Sequence, residues 1–246
     1  MTARTEHRGE VLPLVARALG LWRDGRTLLD NVDLRVEVGP LTVIMGPNGA
    51  GKSLLLRLLA GLIAPDAGSV TWAGRAPDRV RIKRLGFVFQ APVLLRRSVA
   101  DNLRYALRAA GIPKAEWHER TASALAEVGL DRLADAPARV LSGGEQQKLA
   151  LARALAPGPE VLLMDEPTAN LDPTATAAIE DRVGRARDAG TTIVFVTHDL
   201  GQAKRLAGRV VFLHRGRVTE DAPAARFFDA PASEPAAAFI EGRLLP

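Results

Sequence analysis

The sequence predicts an α/β protein with a mainly parallel sheet, an antiparallel β region toward the N-terminus and a helical subdomain inserted in the middle. Three observations carry this. Strand-like segments recur at Leu28–Val36, Leu41–Met45, Ser69–Trp72, Leu85–Phe89, Val161–Met164, Thr191–Thr197 and Val210–His214. Several are short, unbroken apolar runs, the pattern of strands covered on both faces. Helical patterns fall between many of them, as crossovers between parallel strands require. From Ser98 to Leu155, by contrast, the reading is helical. Ser98 followed by Asp101 marks a helix start, Pro113 suits the first turn of a second helix, and Trp117, Leu125 and Val128 recur at near-helical spacing. The expected organisation is one domain over 1–246, with a core of 1–90 and 156–246 and the inserted subdomain at 91–155.

Composition sets limits on function. A chain of 246 residues can bury a sizeable core. Its greasiest stretch, Leu54–Ala64, is broken by Arg57 and is too short to span a bilayer. Met1–Glu10 is polar and lacks the apolar centre of a signal peptide. The chain is therefore expected in the cytoplasm unless a partner holds it at a membrane. The absence of cysteine excludes disulfides, thiolate metal sites and cysteine nucleophiles. A net charge of +5, spread along the chain, is too small an excess to indicate nucleic acid as a partner.

The strand Leu41–Met45 runs into Gly46-Pro47-Asn48-Gly49-Ala50-Gly51-Lys52-Ser53, and the apolar helix Leu54–Ile63 is expected to follow. This is the G-x-x-x-x-G-K-S pattern in a strand–loop–helix setting, which narrows the fold to a P-loop nucleotide-binding core. Glycines let successive backbone N–H groups turn toward a polyphosphate, and the helix N-terminus adds partial positive charge. Lys52 can reach the β- and γ-phosphates, and the Ser53 hydroxyl can ligate Mg²⁺. This loop alone does not separate a kinase from a GTPase or a motor.

A second apolar strand, Val161–Met164, ends in Asp165 and Glu166. Asp165 suits the Mg²⁺-holding aspartate, directly or through water. Glu166, one residue on, points elsewhere and can polarise an attacking water as general base, or can cap the following turn. His198 lies just beyond the strand Thr191–Thr197, at the edge of a parallel sheet where ligands bind. It can contact a γ-phosphate or simply cap a helix.

Leu141-Ser142-Gly143-Gly144-Glu145-Gln146-Gln147 contains an S-x-x-E capping box for a helix running to about Leu155. Capping does not explain Gly143 and Gly144, which cost helix propensity but leave the helix N-terminus open to a phosphate. With these motifs in order, the chain resembles the ATPase domain of ABC transporters over nearly its whole length. The series is Gly46–Ser53, the glutamine of Phe87-Val88-Phe89-Gln90, Leu141–Glu145, Met164-Asp165-Glu166-Pro167-Thr168, Ala169-Asn170-Leu171-Asp172 and Thr197-His198-Asp199. A departure is Lys148, where many relatives carry Arg.

The resemblance implies ATP and Mg²⁺ as cofactors, Gln90 as a Mg²⁺ and coupling sensor, Asp172 at a dimer interface and His198 on the γ-phosphate. It implies an adenine-stacking aromatic upstream of the loop, for which Trp22, followed by the turn Asp24-Gly25, is the candidate; a core position is the alternative. One chain offers one phosphate loop and one Ser-Gly-Gly segment, and the resemblance implies that they meet across a head-to-tail homodimer. It further implies permease partners contacted through Ala91–Arg97, a solute-binding protein acting through the permease, and a place at the cytoplasmic face of the membrane. DNA-repair relatives place a long coiled coil where only Leu54–Leu141 intervenes here, and translation-factor relatives carry two cassettes. Intact Glu166 and His198 argue against a non-hydrolysing switch. The segment Phe87–Ser98 and the tail Phe227-Phe228-Asp229 and Phe239-Ile240-Glu241-Gly242 are similar to tungstate importer ATPases; phosphate, molybdate and polar amino acid importers, and exporters, remain alternatives.

Overall fold

The computed structural model describes residues 9–243, so most of the polar N-terminal stretch lies outside the described residues. In chain order come β1 (Leu14–Arg23), β2 (Arg26–Val36), β3 (Thr42–Met45), α1 (Lys52–Leu59) and β4 (Ala67–Trp72). Next are β5 (Leu85–Val88), α2 (Val99–Ala110), α3 (Trp117–Ala126), α4 (Gly143–Leu155), β6 (Val161–Asp165) and α5 (Pro173–Asp188). Then follow β7 (Thr192–Val196), α6 (Leu200–Leu206), β8 (Arg209–His214), β9 (Arg217–Pro223), α7 (Ala224–Asp229) and α8 (Glu234–Ile240). Two compact units result: residues up to Ile82 together with those from Thr192 on, and Lys83–Thr191.

In the first unit, β2, β1 and β4 form the antiparallel sheet expected near the N-terminus, with β1 in the centre. Asp24-Gly25, both with positive φ (51° and 73°), make the two-residue turn whose twist suits a hairpin. Along β1, Leu14 and Ala16 are buried, and then Leu19 and Leu21. The alternation changes phase at Ala18, where the register slips and φ is 47°. That phase change hides β1 from a period-two reading.

The same unit holds β7, β3 and β8 in parallel, with β9 antiparallel to β8. Every residue of β3 and β7 is buried, which is why both read as unbroken apolar runs. β9 is charged on its open side and buries only Glu220 and Ala222, so its sequence does not announce a strand. Glu220 instead organises the C-terminal segment: its carboxylate accepts from the Ala232 and Ser233 amides at 2.9 and 3.0 Å and from the Ser233 hydroxyl. Phe227 and Phe239 pack on Phe212 of β8, with ring centroids 5.8 and 5.2 Å apart.

In the second unit, β5 and β6 pair in parallel from Leu85↔Val161 to Val88↔Met164. Helices α2, α3 and α4 close around Val99, Leu103, Leu125, Leu130 and Leu149. The Ser98 hydroxyl caps α2 by accepting from the Asp101 amide at 3.1 Å, as its spacing suggested. Pro113 precedes a 3-10 turn, Lys114–Glu116, that leads into α3.

α1 begins at Lys52 and stops at Leu59, earlier than its apolar run suggests. Its last turn is closed by the fully buried Trp72, whose indole N–H donates to the Leu59 carbonyl at 2.9 Å. Trp72→Phe keeps an aromatic ring but leaves that buried carbonyl without its donor, so we expect a loss of about 2 kcal/mol. Urea unfolding followed by circular dichroism checks this as a lower midpoint with an unchanged slope.

Candidate active site

The glycine loop follows β3 and is shaped by steric exclusion. A side chain at Gly46 (φ 146°) would place its Cβ 2.0 Å from the Leu213 carbonyl oxygen. At Gly51 (φ 100°) the Cβ would meet Leu29 at 2.7 Å and the Leu28 carbonyl at 3.0 Å. Only glycine fits either place. Gly49 also has positive φ (80°) but faces open space, so its demand is conformational. Pro47 and Ala50 close the turn through an Ala50 N–H to Pro47 carbonyl bond of 3.2 Å, while Asn48 is exposed at the tip.

Gly51 caps α1 without any side-chain hydrogen bond, and the first turn holds no acid. The helix N-terminus, with Lys52 and Ser53 at its start, is thereby left as an attractive place for an anion. Lys52 is only 5% exposed, and its ammonium donates to the Gly46 and Pro47 carbonyls at 2.9 and 3.0 Å. The loop thus solvates a buried cation and holds it against its own backbone.

His198 follows the C-terminal end of β7, which lies beside β3: the Thr197 amide donates to the Ile44 carbonyl at 3.3 Å. Its neighbour Asp199 caps α6 by accepting from the Gln202 amide at 2.7 Å, which leaves the exposed His198 outside the helix. Trp22 is not a core residue. It is 43% exposed, and its ring lies across Gly20, where a Cβ would come within 2.8 Å. The core tryptophan is Trp72.

In the second unit, the parallel pairing of β5 with β6 puts Gln90 and Asp165 at the same sheet edge, one or two residues past Val88 and Met164. Asp165 is buried, whereas Gln90 is exposed. Glu166 has φ 42°, a left-handed conformation that is costly for a non-glycine residue and turns it off the line of β6. Asp172 acts locally, capping α5 by accepting from the Ala175 amide at 2.9 Å, with Pro173 in the first turn.

The expected capping box is present at α4. The Ser142 hydroxyl accepts from the Glu145 amide, and the Glu145 carboxylate accepts from the Ser142 amide at 2.8 Å and its hydroxyl at 2.7 Å. The Ser142 hydroxyl and amide hold the Glu145 carboxyl below its ordinary pKa, so the box is ionised at neutral pH. Gly143 faces open space, and a Cβ at Gly144 would press on Ala175 at 3.3 Å.

Among the described residues no cluster of three or more His, Asp or Glu side chains could hold a metal. Gln90 and Asp165 in the second unit, and Ser53 in the first, each offer hard oxygen donors of the kind Mg²⁺ takes when most of its ligands are phosphates and waters. Sequence reasoning missed the carbonyls of Leu28 and Leu213 that shape the loop, and the buried amides of Asn102 and Gln147. Backbone carbonyls carry no residue signature; Gln147 had one, a polar residue on the buried face of α4.

The ABC transporter family profile matches residues 29–169. The chain is 41% identical over 242 residues to the phosphate import ATP-binding protein PstB 2 of Natronomonas pharaonis, covering 90% of this chain and 84% of the relative. To the tungstate uptake system ATP-binding protein TupC of Peptoclostridium acidaminophilum it is 42% identical over 198 residues, covering 80% and 92%. A solved ATP-binding subunit of an ABC transporter superposes with a TM-score of 0.83 at 27% identity, over 93% of this chain and 98% of that one. A dimeric post-hydrolysis ATP-binding cassette bound to ADP and Pi gives 0.77 at 29% identity, over 86% and 98%. A loop built to hold a buried lysine at a bare helix end, in this fold and with these relatives, places the chain in the ABC transporter family as an ABC-type ATPase.

Proposed function

We propose that the chain energises uptake of a small oxyanion, tungstate first, from the cytoplasmic face of the membrane. The observation that carries the nucleotide chemistry is the buried Lys52 held by its own loop carbonyls. Relatives named for anion import, similar over most of their length, support the choice of cargo. Among the described residues no helix is long and apolar enough to cross a membrane. In this reading permease subunits supply the translocation path. A solute-binding protein would deliver the anion to them.

In this reading two copies assemble head to tail, and each ATP lies between the loop of one and Ser142, Gly143 and Gly144 of the other. Asp172 belongs to the same interface. The backbone amides of Gly46–Ser53 and the Lys52 ammonium bind the phosphates, and Trp22 stacks on adenine with its exposed face. Ser53, Gln90 and Asp165 would hold Mg²⁺, which would supply charge neutralisation at the phosphates. Glu166 draws the proton from the attacking water, and His198 orients the γ-phosphate. The segment Ala91–Arg97 passes the resulting movement to the permease.

Lys52→Ala should lose nucleotide affinity and with it phosphate release, measured by fluorescence titration and a phosphate assay; full turnover would remove Lys52 from this role. Glu166→Gln should still bind ATP but hydrolyse it on the order of 10²–10⁴-fold more slowly. Turnover at the parental rate would assign the base elsewhere. Deleting the gene should lower cellular tungstate under scarcity. Unchanged uptake of tungstate, molybdate and phosphate would count against oxyanions as the cargo.

A further inference from the structure

β5 leaves its ladder with β6 after Val88, so the carbonyl of Phe89 needs another donor. It is met by Gln147, 58 residues away, whose side-chain amide N–H donates to it at 3.0 Å. Gln147 is 1% exposed and sits on α4, five residues beyond Ser142. Its orientation is fixed, because only the NH₂ end can face a carbonyl. The consequence is a cost: among the described residues its buried Oε1 has no hydrogen-bond partner.

The far end of the same segment is fixed by a second buried amide. The Asn102 Oδ1 accepts from the Leu95 amide at 2.8 Å, and its Nδ2 donates to the carbonyls of Leu95 (3.3 Å) and Ser98 (2.9 Å). Gln90 to Leu94 is thus strung between two amides, one on α4 and one on α2. The Asn102 end is fully satisfied, while the Gln147 end rests on a single bond.

We infer that Gln147 is a positioning residue: its one bond to Phe89 ties the placement of Gln90 to α4, the helix that presents Ser142, Gly143 and Gly144. The bond joins a helix to a segment 58 residues away, so it constrains where that segment lies relative to α4. A shift of α4 along its axis would be transmitted directly to the residue before Gln90. The inference rests on the reading above, in which Gln90 serves the nucleotide's Mg²⁺.

Gln147→Met retains length and apolar bulk but cannot donate. It removes the unmatched Oε1 together with the bond, effects of opposite sign on stability, so the melting temperature should change little. Hydrogen exchange in the peptide covering residues 89–95 should become about tenfold faster, with the rest of Lys83–Thr191 unchanged. Turnover should fall on the order of tenfold, with a higher Mg²⁺ requirement and unchanged nucleotide affinity in the absence of Mg²⁺. Gln147→Asn, which withdraws the amide by one methylene but keeps an amide oxygen, should show the same exchange and Mg²⁺ effects. Faster exchange spread evenly over the unit, or failure of both variants to fold, would make Gln147 ordinary core support and overturn the inference. So would local exchange and Mg²⁺ dependence within twofold of the parent. A parent chain without Mg²⁺-dependent ATPase activity would defeat the nucleotide reading, and with it the Mg²⁺ role given to Gln90. The exchange measurement would still decide whether Gln147 holds the segment.

Discussion

A carbonyl oxygen occupies the space that a side chain at residue 46 would need. It belongs to Leu213 on β8, and the approach of β8 to the start of the glycine loop fixes where that loop can go. The remaining supports follow the same logic. The Gly216 amide donates to the Ala50 carbonyl at 3.1 Å, and the Gly216 carbonyl accepts from the Asp30 amide at 2.9 Å. Gly51 rests against Leu28 and Leu29. The loop therefore lies on a platform made by β2 and the β8–β9 turn, and its shape is set by backbone contacts before any phosphate arrives. Pre-organisation of this kind lowers the entropic cost of binding.

The chemistry placed on this scaffold is paid for in local strain and buried charge. Lys52 is taken from water and compensated by two carbonyls, which a phosphate can outcompete because it carries a full charge. Glu166 accepts an unfavourable φ to leave the line of β6. Ser142 and Glu145 satisfy each other, and Gly143 directly after the cap faces open space. Lys52, Glu166 and the two glycines are each costly where they stand, and each is a residue to which the proposed function gives a role.

The parts of the fold legible in the sequence were those where one physical demand dominates. β3, β6 and β7 are buried on both faces and read as apolar runs; Ser98 and Ser142 cap as their spacing indicated. β1 and β9 were not legible, the first because Ala18 shifts its phase, the second because its charges belong to an edge. Of the candidate functional residues, those with a distinctive side-chain chemistry stood out in the sequence: Lys52, Asp165, Glu166. What did not stand out was the support, since Leu213 acts through a backbone carbonyl and Gln147 through a contact 58 residues away in the chain. Trp22 was ambiguous between core and surface from sequence; Trp72 fills the core instead.

In the proposed assembly the phosphate loop of one copy and the Ser142 helix of another share one ATP. The chain has no cysteine, so Asn48→Cys with Gly143→Cys would introduce its only two thiols. Asn48 is exposed at the loop tip, and Gly143 has open space for a side chain. A disulfide needs Cα atoms within about 7 Å, so its formation reports proximity. In a Glu166→Gln background, ATP should drive crosslinking to a covalent dimer on a non-reducing gel, with little crosslinking when ATP is absent. A crosslink confined to monomers in the presence of ATP would show that the two motifs meet within one chain, and would contradict the shared site.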